Sequence, residues 1–313
     1  RHTEYDVRHP DYGGNTIIYD LGGDIWKLDL VSGIPVKVPV TIPNDMEERR
    51  PFMKDIRRDI TSAEISPSGR RALIVARGEV FTVPEKEGPA RNLTNSSGAR
   101  DKDAVWSPDG KWIAYFSDKT GEYELYIVSP DGREDAVKLT SNKDGYRHTL
   151  KWSPDSRKIG WTDQTLTLYF IDVATKAITK VDREEYENVD VSLDVKSIFD
   201  YSWSPDSRFI VYTKMNSDFM YQLYVYSLDT KKINCISKGL FHDFNPVFTN
   251  DGQHIVFISD RRFTPTYCDL EWEMIYQKIA GIYAITLRKD GSSMLPFKSD
   301  EEGAAETAPK NET

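Results

Sequence analysis

One short phrase recurs along the 313-residue chain and constrains its fold more than any other feature. The phrase is an apolar residue followed by Ser-Pro-Asp-Gly or a close variant, and a second apolar segment comes directly after it. The full and weaker copies begin at Arg8, Ile65, Trp106, Trp152, Trp203 and Phe248. From Ile65 onward the copies are about 45 residues apart, which is a typical period for a repeat built from four short strands.

Each repeat contains the signals for four strands. Pro fixes φ at about −65° and Gly or Asp tolerates the tight position that follows, so the chain reverses at the phrase. Alternating apolar segments follow it, for example at 113–115 and 223–226, and a polar turn leads to a short fourth strand such as 92–94. The sequence therefore predicts an all-β chain, a β-propeller of four-stranded antiparallel blades with six blade-sized repeats.

The residues that open the phrase are interpreted as structural anchors. A blade cannot bury both of its faces alone, so neighbouring blades must stack, and a large side chain at the same point of each unit suits that contact. We therefore predict packing between blades, rather than ligand binding, for Trp106, Trp152, Trp203 and Phe248.

The repeats also predict how the chain is divided. Residues 1–40 form blade 1, residues 41–57 a charged linker or insert, and residues 58–297 five further blades. Two interpretations of blade 1 stay open: all six blades stack, or blade 1 is the last blade of a preceding propeller and the others form an open arc. Residues 298–313 are acidic and are expected to be disordered. A second insert at 261–280 has apolar residues at helical spacing, which predicts a short helix.

Composition and missing motifs exclude several functions. The formal net charge of −9 disfavours nucleic-acid binding, which needs clustered cations, and no apolar run is long enough for membrane insertion. No metal site, cofactor or catalytic residue is predicted, because HExxH, GxSxG, GxGxxG and P-loop motifs are all lacking. Cys235 and Cys268 are expected to be buried free thiols, and a bridge in an oxidising compartment is the alternative.

The repeats resemble those of known propeller proteins. The Trp-Ser-Pro-Asp-Gly phrase is similar to the WD40-like repeat of TolB, of prolyl-oligopeptidase-type enzymes and of tricorn protease. A set of longer phrases, in this order along nearly the whole chain, resembles the tricorn family in particular. These phrases lie at 23–30, 65–73, 88–94, 106–125, 243–248 and 257–262.

Tricorn-like proteins are large serine peptidases in which two propellers precede a PDZ-like domain and catalytic domains. The resemblance implies a non-catalytic propeller segment that channels or gates peptides to a catalytic domain absent from this chain. The chain alone is accordingly expected to be inactive, within a parent protein that is a serine-type peptidase. The implied partners are peptides and the remaining domains of the parent protease, with self-association through the parent. The implied location is the cytoplasm.

Two other functions stay open at this point. A TolB-like propeller would dock a peptide or a protein at one face, and it would be exported to the periplasm. The propeller half of a prolyl-oligopeptidase-type hydrolase would accompany an α/β-hydrolase domain that carries GxSxG. Because propellers host unrelated activities, the fold does not separate these alternatives.

Two groups of side chains are candidates for contact with peptides. The residues three positions before the anchors are polar, and we expect them to ring the mouth of the central channel: Asp103, Thr149, Asp200 and Asn245. The alternative is that they cap the loops between blades.

Four arginines near the linker could hold a peptide carboxylate through paired hydrogen bonds: Arg49, Arg50, Arg57 and Arg58. Pairing with the Glu and Asp residues beside them is the alternative.

Overall fold

A computed structural model describes residues 2–43, 54–141, 145–185, 200–262, 265–267, 274–276 and 278–294. The chain divides into two compact units, Arg1–Asp55 and Ile56–Thr313. Every regular element among the described residues is a β-strand, which confirms the all-β prediction. The predicted disordered tail at 298–313, together with Arg49, Arg50 and Cys268, lies outside the described residues.

The first unit holds one four-stranded antiparallel sheet, blade 1. Its strands are β1 (Val7–Gly13), β2 (Thr16–Leu21), β3 (Asp24–Asp29) and β4 (Pro35–Lys37). The prediction of a turn at the Arg8 copy of the phrase was wrong, because these residues lie inside β1. The chain reverses instead between Gly13 and Thr16, where Gly14 supplies a positive φ of 59°.

The second unit holds blades 2 to 6, each an antiparallel sheet whose strands follow one another in sequence. Blade 2 consists of β5 (Ile60–Ile65), β6 (Arg71–Ala76), β7 (Glu79–Pro84) and β8 (Arg91–Asn92). Blade 3 consists of β9 (Asp101–Trp106), β10 (Ile113–Ser117), β11 (Glu124–Val128) and β12 (Val137–Lys138). Blade 4 consists of β13 (Arg147–Trp152), β14 (Lys158–Asp163), β15 (Thr167–Asp172) and β16 (Ile178–Arg183). Blade 5 consists of β17 (Tyr201–Trp203), β18 (Phe209–Met215), β19 (Tyr221–Ser227) and β20 (Ile233–Cys235). Blade 6 has three strands among the described residues: β21 (Asp243–Phe248), β22 (His254–Ser259) and β25 (Gly281–Thr286).

Two expectations about this unit were wrong. The insert in blade 6 contains a short hairpin, β23 (Pro265–Tyr267) paired with β24 (Met274–Tyr276), where a helix was predicted. Its Ile, Thr and Tyr residues favour extended backbone, and the apolar spacing was too short to decide between the two structures. Cys235 is exposed rather than buried, because it lies on the outermost strand of blade 5.

Large side chains at the ends of the first strands fill the spaces between blades. Trp106 packs against Leu73 of blade 2, and Trp152 packs in a cluster that includes Phe116 of blade 3. Trp203 meets the Phe170 ring of blade 4 edge to face at 5.8 Å. Phe248 packs in the same way on blade 5. Each of these side chains therefore contacts the blade that precedes its own.

The Ser-Pro-Asp turn is a repeated hydrogen-bonded unit. In blade 3 the Gly110 N–H donates to the Ser107 carbonyl at 2.8 Å, and the Trp112 N–H donates to the Ser107 hydroxyl at 2.9 Å. The same hydroxyl donates to the Asp109 carboxylate at 2.7 Å. Although burial alone would raise the pKa of Asp109, hydrogen bonds from Ser107 and Lys111 outweigh it and lower that pKa.

Adjacent turns are also joined to each other. The last residue of the phrase has a positive φ, 58° at Ser156 and 59° at Ser207, where blade 3 has Gly110. The Ser156 hydroxyl accepts a hydrogen bond from the Asp109 N–H at 3.1 Å, and Ser207 accepts one from the Asp155 N–H at 3.0 Å. These serines occupy a conformation that favours glycine, and each connects its blade to the preceding one.

Ser156 offers a test of this connection. We expect Ser156→Ala to lower the free energy of unfolding by about 1–2 kcal/mol, because it loses the bond to Asp109 while the left-handed backbone strain remains. Ser156→Gly loses the same bond but relieves the strain, so it should stay within about 1 kcal/mol of the natural chain. Urea unfolding of both variants makes the comparison. Equal effects of Ala and Gly would contradict this account.

Candidate functional site

The first strands of the blades lie on the inner side of the stack. Contacts join β5 to β9, β9 to β13 and β17 to β21, whereas the described fourth strands make no comparable contacts with one another. Within the described residues blade 6 does not pack on blade 2 in this way, so the stack of the second unit is open. Side chains on the first strands therefore stand closest to the common inner edge, where a propeller has its channel.

Three of the four predicted channel-mouth residues occupy a β-bulge. Asp103, Thr149 and Asn245 have φ values of 54°, 53° and 52°, and the strand pairing shifts at each of these positions. Two residues of the first strand oppose one residue of the second at these points, and a bulge of this kind turns a side chain away from its usual direction. A positive φ is uncommon for residues other than glycine, and it is a true outlier for the β-branched Thr149.

Thr149 is also bonded to the next blade. The hydroxyl of Tyr201, which is only 1% exposed, donates to the Thr149 carbonyl at 2.5 Å. Burial raises the pKa of Tyr201 well above its ordinary value, so the hydroxyl keeps its proton and remains a donor. Backbone strain of about 1–3 kcal/mol persists only where surrounding structure imposes it, and such strain clusters at functional sites.

The remaining predicted residue, Asp200, lies directly before β17 and forms a pair with Asn245. With the Asn245 amide oriented so that its nitrogen faces blade 5, it donates to the two Asp200 carboxylate oxygens at 2.8 and 2.9 Å. The structure therefore joins two of the predicted residues across neighbouring blades. Neither side chain is buried.

Lys151 is a fifth residue of this edge, and sequence reasoning missed it. Its ammonium donates to the Tyr201 carbonyl at 2.7 Å and lies 4.9 Å from the centre of the Tyr201 ring. The surrounding protein removes water from Lys151 and lowers its pKa, and the carboxylate of Asp200 acts in the opposite direction. The side chain still has accessible surface.

A signal for Lys151 was present in the repeat. It stands directly before the anchor Trp152, at the position that Glu64 occupies in blade 2. Glu64 also reaches the following blade, where its carboxylate accepts a hydrogen bond from the Trp106 N–H at 2.8 Å. Burial raises the pKa of Glu64, and this hydrogen bond opposes the shift. We call Asp103, Thr149, Lys151, Asp200 and Asn245 the inner row.

Asp103 lies next to a buried lysine. Its carboxylate is 3.6 Å from the ammonium of Lys102, which donates to the Arg147 carbonyl at 2.6 Å and lies 3.5 Å from the centre of the Tyr146 ring. The Asp103 side chain remains 41% exposed while Lys102 is nearly covered. The inner row therefore presents carboxylates, an amide, a hydroxyl and an ammonium, the groups that hydrogen-bond to a peptide backbone.

The two described arginine candidates do not belong to the inner row. Arg57 and Arg58 are exposed in the segment before β5, where the Asp59 N–H closes a turn on the Ile56 carbonyl at 2.8 Å. Arg49 and Arg50 fall in the part of the chain that the structure leaves undescribed. The described residues contain no group of three or more His, Cys, Asp or Glu side chains that could hold a metal ion. In the same residues no helix is long and apolar enough to cross a membrane.

The stacked blades, the repeated Ser-Pro-Asp turns and the polar inner edge define the chain as a β-propeller segment. Residues 60–313 match the family described as the tricorn protease second beta propeller domain, and the chain belongs to that family. This confirms the predicted resemblance and the predicted propeller fold.

Related proteins agree with this assignment. The chain is 24% identical over 296 residues to a tricorn protease homolog of Saccharolobus solfataricus, covering 94% of the chain and 26% of the relative. It is 25% identical to tricorn protease homolog 1 of Streptomyces coelicolor, over 100% of the chain and 29% of the relative. The crystal structure of the tricorn protease superposes with a TM-score of 0.69 at 18% identity, over 94% of this chain and 28% of that one. The chain thus spans between a quarter and a third of the length of these proteins.

Proposed function

We propose that the inner row lines a channel that conducts peptides toward the catalytic domain of a tricorn-like protease. The observation that carries the proposal is the connected set of polar groups on blades 4, 5 and 6, in which Lys151, Asp200 and Asn245 contact one another's strands or side chains. These groups are accessible, and bulges rather than ordinary strand geometry direct two of the inner-row side chains on these blades, Thr149 and Asn245.

The chemistry of the inner row suits the passage of peptides of many different sequences. Asp103 and Asp200 accept hydrogen bonds from backbone N–H groups, Lys151 donates to backbone carbonyls, and Thr149 and Asn245 do both. None of these contacts depends on the side chains of the peptide. A wall of this kind holds an extended peptide weakly at several points, which allows it to move. The family membership likewise leads us to propose that the chain works beside the other domains of a peptidase, in the cytoplasm, and is inactive alone.

Binding of an extended peptide tests the proposal. We expect a fluorescein-labelled decapeptide to bind the chain, and Lys151→Met to weaken that binding about tenfold by removing a charged donor. The pKa of Lys151 is lower in the folded chain than in the unfolded one, so its charge opposes folding at neutral pH. Lys151→Met should therefore keep or raise the thermal midpoint while it lowers affinity.

The controls separate the channel from the rest of the surface. Asn245→Trp should narrow the inner edge and weaken binding, whereas Thr230→Trp, at an exposed turn of blade 5, should leave it unchanged. Fluorescence anisotropy gives the affinities and a thermal melt gives the midpoints. The channel would be refuted if Lys151→Met bound the peptide with natural affinity. It would also be refuted if Asn245→Trp and Thr230→Trp lost the same amount of affinity.

A further inference from the structure

A second candidate site lies between blades 5 and 6. There a cavity of about 280 Å³ opens to solvent. Most of the accessible surface inside the cavity is apolar, and four apolar side chains line it: Ile236, Leu240, Phe241 and Ile285. Two of them are unusually open for apolar residues, since Leu240 is 72% exposed and Phe241 is 37% exposed. Exposed apolar surface that is gathered around a cavity marks a place of contact.

Arg261 stands in the wall of this cavity in a fixed orientation. Its Nε donates to the Ser259 hydroxyl at 2.8 Å, and its Nη2 donates to both Asp243 carboxylate oxygens, at 3.1 and 3.0 Å. The guanidinium also lies 5.8 Å from the centre of the Phe241 ring and 5.2 Å from that of Tyr283. These contacts hold the planar group in place before any ligand arrives.

One edge of that guanidinium is left for a ligand. Its Nη1 makes no hydrogen bond within the described part of the chain, although the side chain is 34% exposed. Lys238 adds a second cation to the cavity lining, whereas Asp243 is the only carboxylate among the described lining residues and is already paired with Arg261. The cavity is therefore apolar, small and positively charged on balance.

We propose that this cavity binds the C-terminal residue of a peptide whose last side chain is apolar. The terminal carboxylate lies against Arg261 Nη1 and Lys238, and the side chain covers Leu240 and Phe241. The volume falls at the lower end of the roughly 300–1,000 Å³ typical of ligand pockets, which suits one or two residues. None of the lining residues belongs to the inner row, and the proposal does not depend on the channel.

A pair of peptides that differ only at the C-terminus provides the test. Fluorescein-Gly-Ala-Ala-Leu with a free carboxylate should bind the full 313-residue chain at least about tenfold more tightly than the same peptide as its amide, because the amide lacks the charged acceptor. Arg261→Gln should lower the affinity for the free-acid peptide to the affinity for the amide. Arg208→Gln, which removes an exposed arginine paired with Asp229, is the matched control and should change nothing.

A second variant covers the case in which Arg261→Gln fails to fold around the buried Asp243. Leu240→Glu changes a side chain that is already exposed, and it places a carboxylate in the apolar lining that the last side chain of the peptide would cover. The new charge repels the free acid more than the amide, so this variant should also abolish the preference for the acid. Lys151→Met should leave the ratio of acid to amide binding unchanged, which separates this site from the channel. Equal binding of acid and amide, no binding of either, or natural preference in Leu240→Glu would overturn the proposal.

Discussion

Replacing Trp152 by Ala should lower the free energy of unfolding by about 3–5 kcal/mol, since a buried aromatic loses its transfer energy and leaves a cavity. Trp152 is 7% exposed and packs with Phe116 of blade 3 and with Trp161 of its own blade. Its indole N–H also donates to the Val105 carbonyl at 3.4 Å. The substitution would therefore weaken the contact between blades 3 and 4 as well as the packing within blade 4.

The repeat supplies a matched control for this variant. Ile65 opens the same phrase in blade 2, but no sheet precedes blade 2 in its unit, and the side chain is 70% exposed. Ile65→Ala should therefore cost less than about 1 kcal/mol. Urea unfolding measures both, and the slopes show whether the transitions expose the same surface. A shift below about 1 kcal/mol for Trp152→Ala would show that the residue is not an anchor.

The second large effect is expected at the interface of blades 3 and 4. The Glu124 carboxylate and the Arg147 guanidinium are 3.1 Å apart with side chains 0% and 1% exposed, and Thr140 bonds to both. Arg147→Met removes the guanidinium that lies beside this buried carboxylate. Removing one partner of such a pair typically costs about 3–5 kcal/mol.

A double variant distinguishes the charge from the packing. Because apolar residues of similar volume can replace a buried ion pair at little cost, Arg147→Met with Glu124→Met should recover much of the stability that Arg147→Met loses. Arg208→Met, at the exposed pair with Asp229, should cost under about 1 kcal/mol. Chemical denaturation of the four chains completes the comparison. A double variant as unstable as Arg147→Met alone would mean that packing, not charge, governs this interface.

Much of the fold was predictable because a local signal repeats. The turn phrase predicts where each of the five sheets of the second unit first reverses, and the alternating segments at 113–115 and 223–226 lie inside β10 and β19. Local sequence failed where only one weak copy existed. The Arg8 copy has Tyr12 where the other copies have Gly or Ser, and the Gly-Gly-Asn sequence directly after it forms the turn instead.

The site was predictable in position but not in geometry. Counting from the anchors located Asp103, Thr149, Asp200 and Asn245, yet nothing in the residue types indicated a bulge at a threonine. The hydrogen bond from Tyr201 of the next blade to the Thr149 carbonyl joins residues 52 positions apart, so local sequence did not indicate it either. Lys151 was missed for the same reason, since its partners belong to a neighbouring blade and its identity differs from one repeat to another.

Photochemical cross-linking tests the channel most directly. A peptide with a benzophenone side chain at its centre would be irradiated in the presence of the chain, and the attachment sites would be mapped by mass spectrometry with unlabelled peptide as competitor. Our account predicts competitor-sensitive attachment to the first strands, at or beside the inner row on β9, β13, β17 and β21. Attachment confined to the fourth strands β12, β16 and β20, or no attachment that the competitor removes, would contradict it.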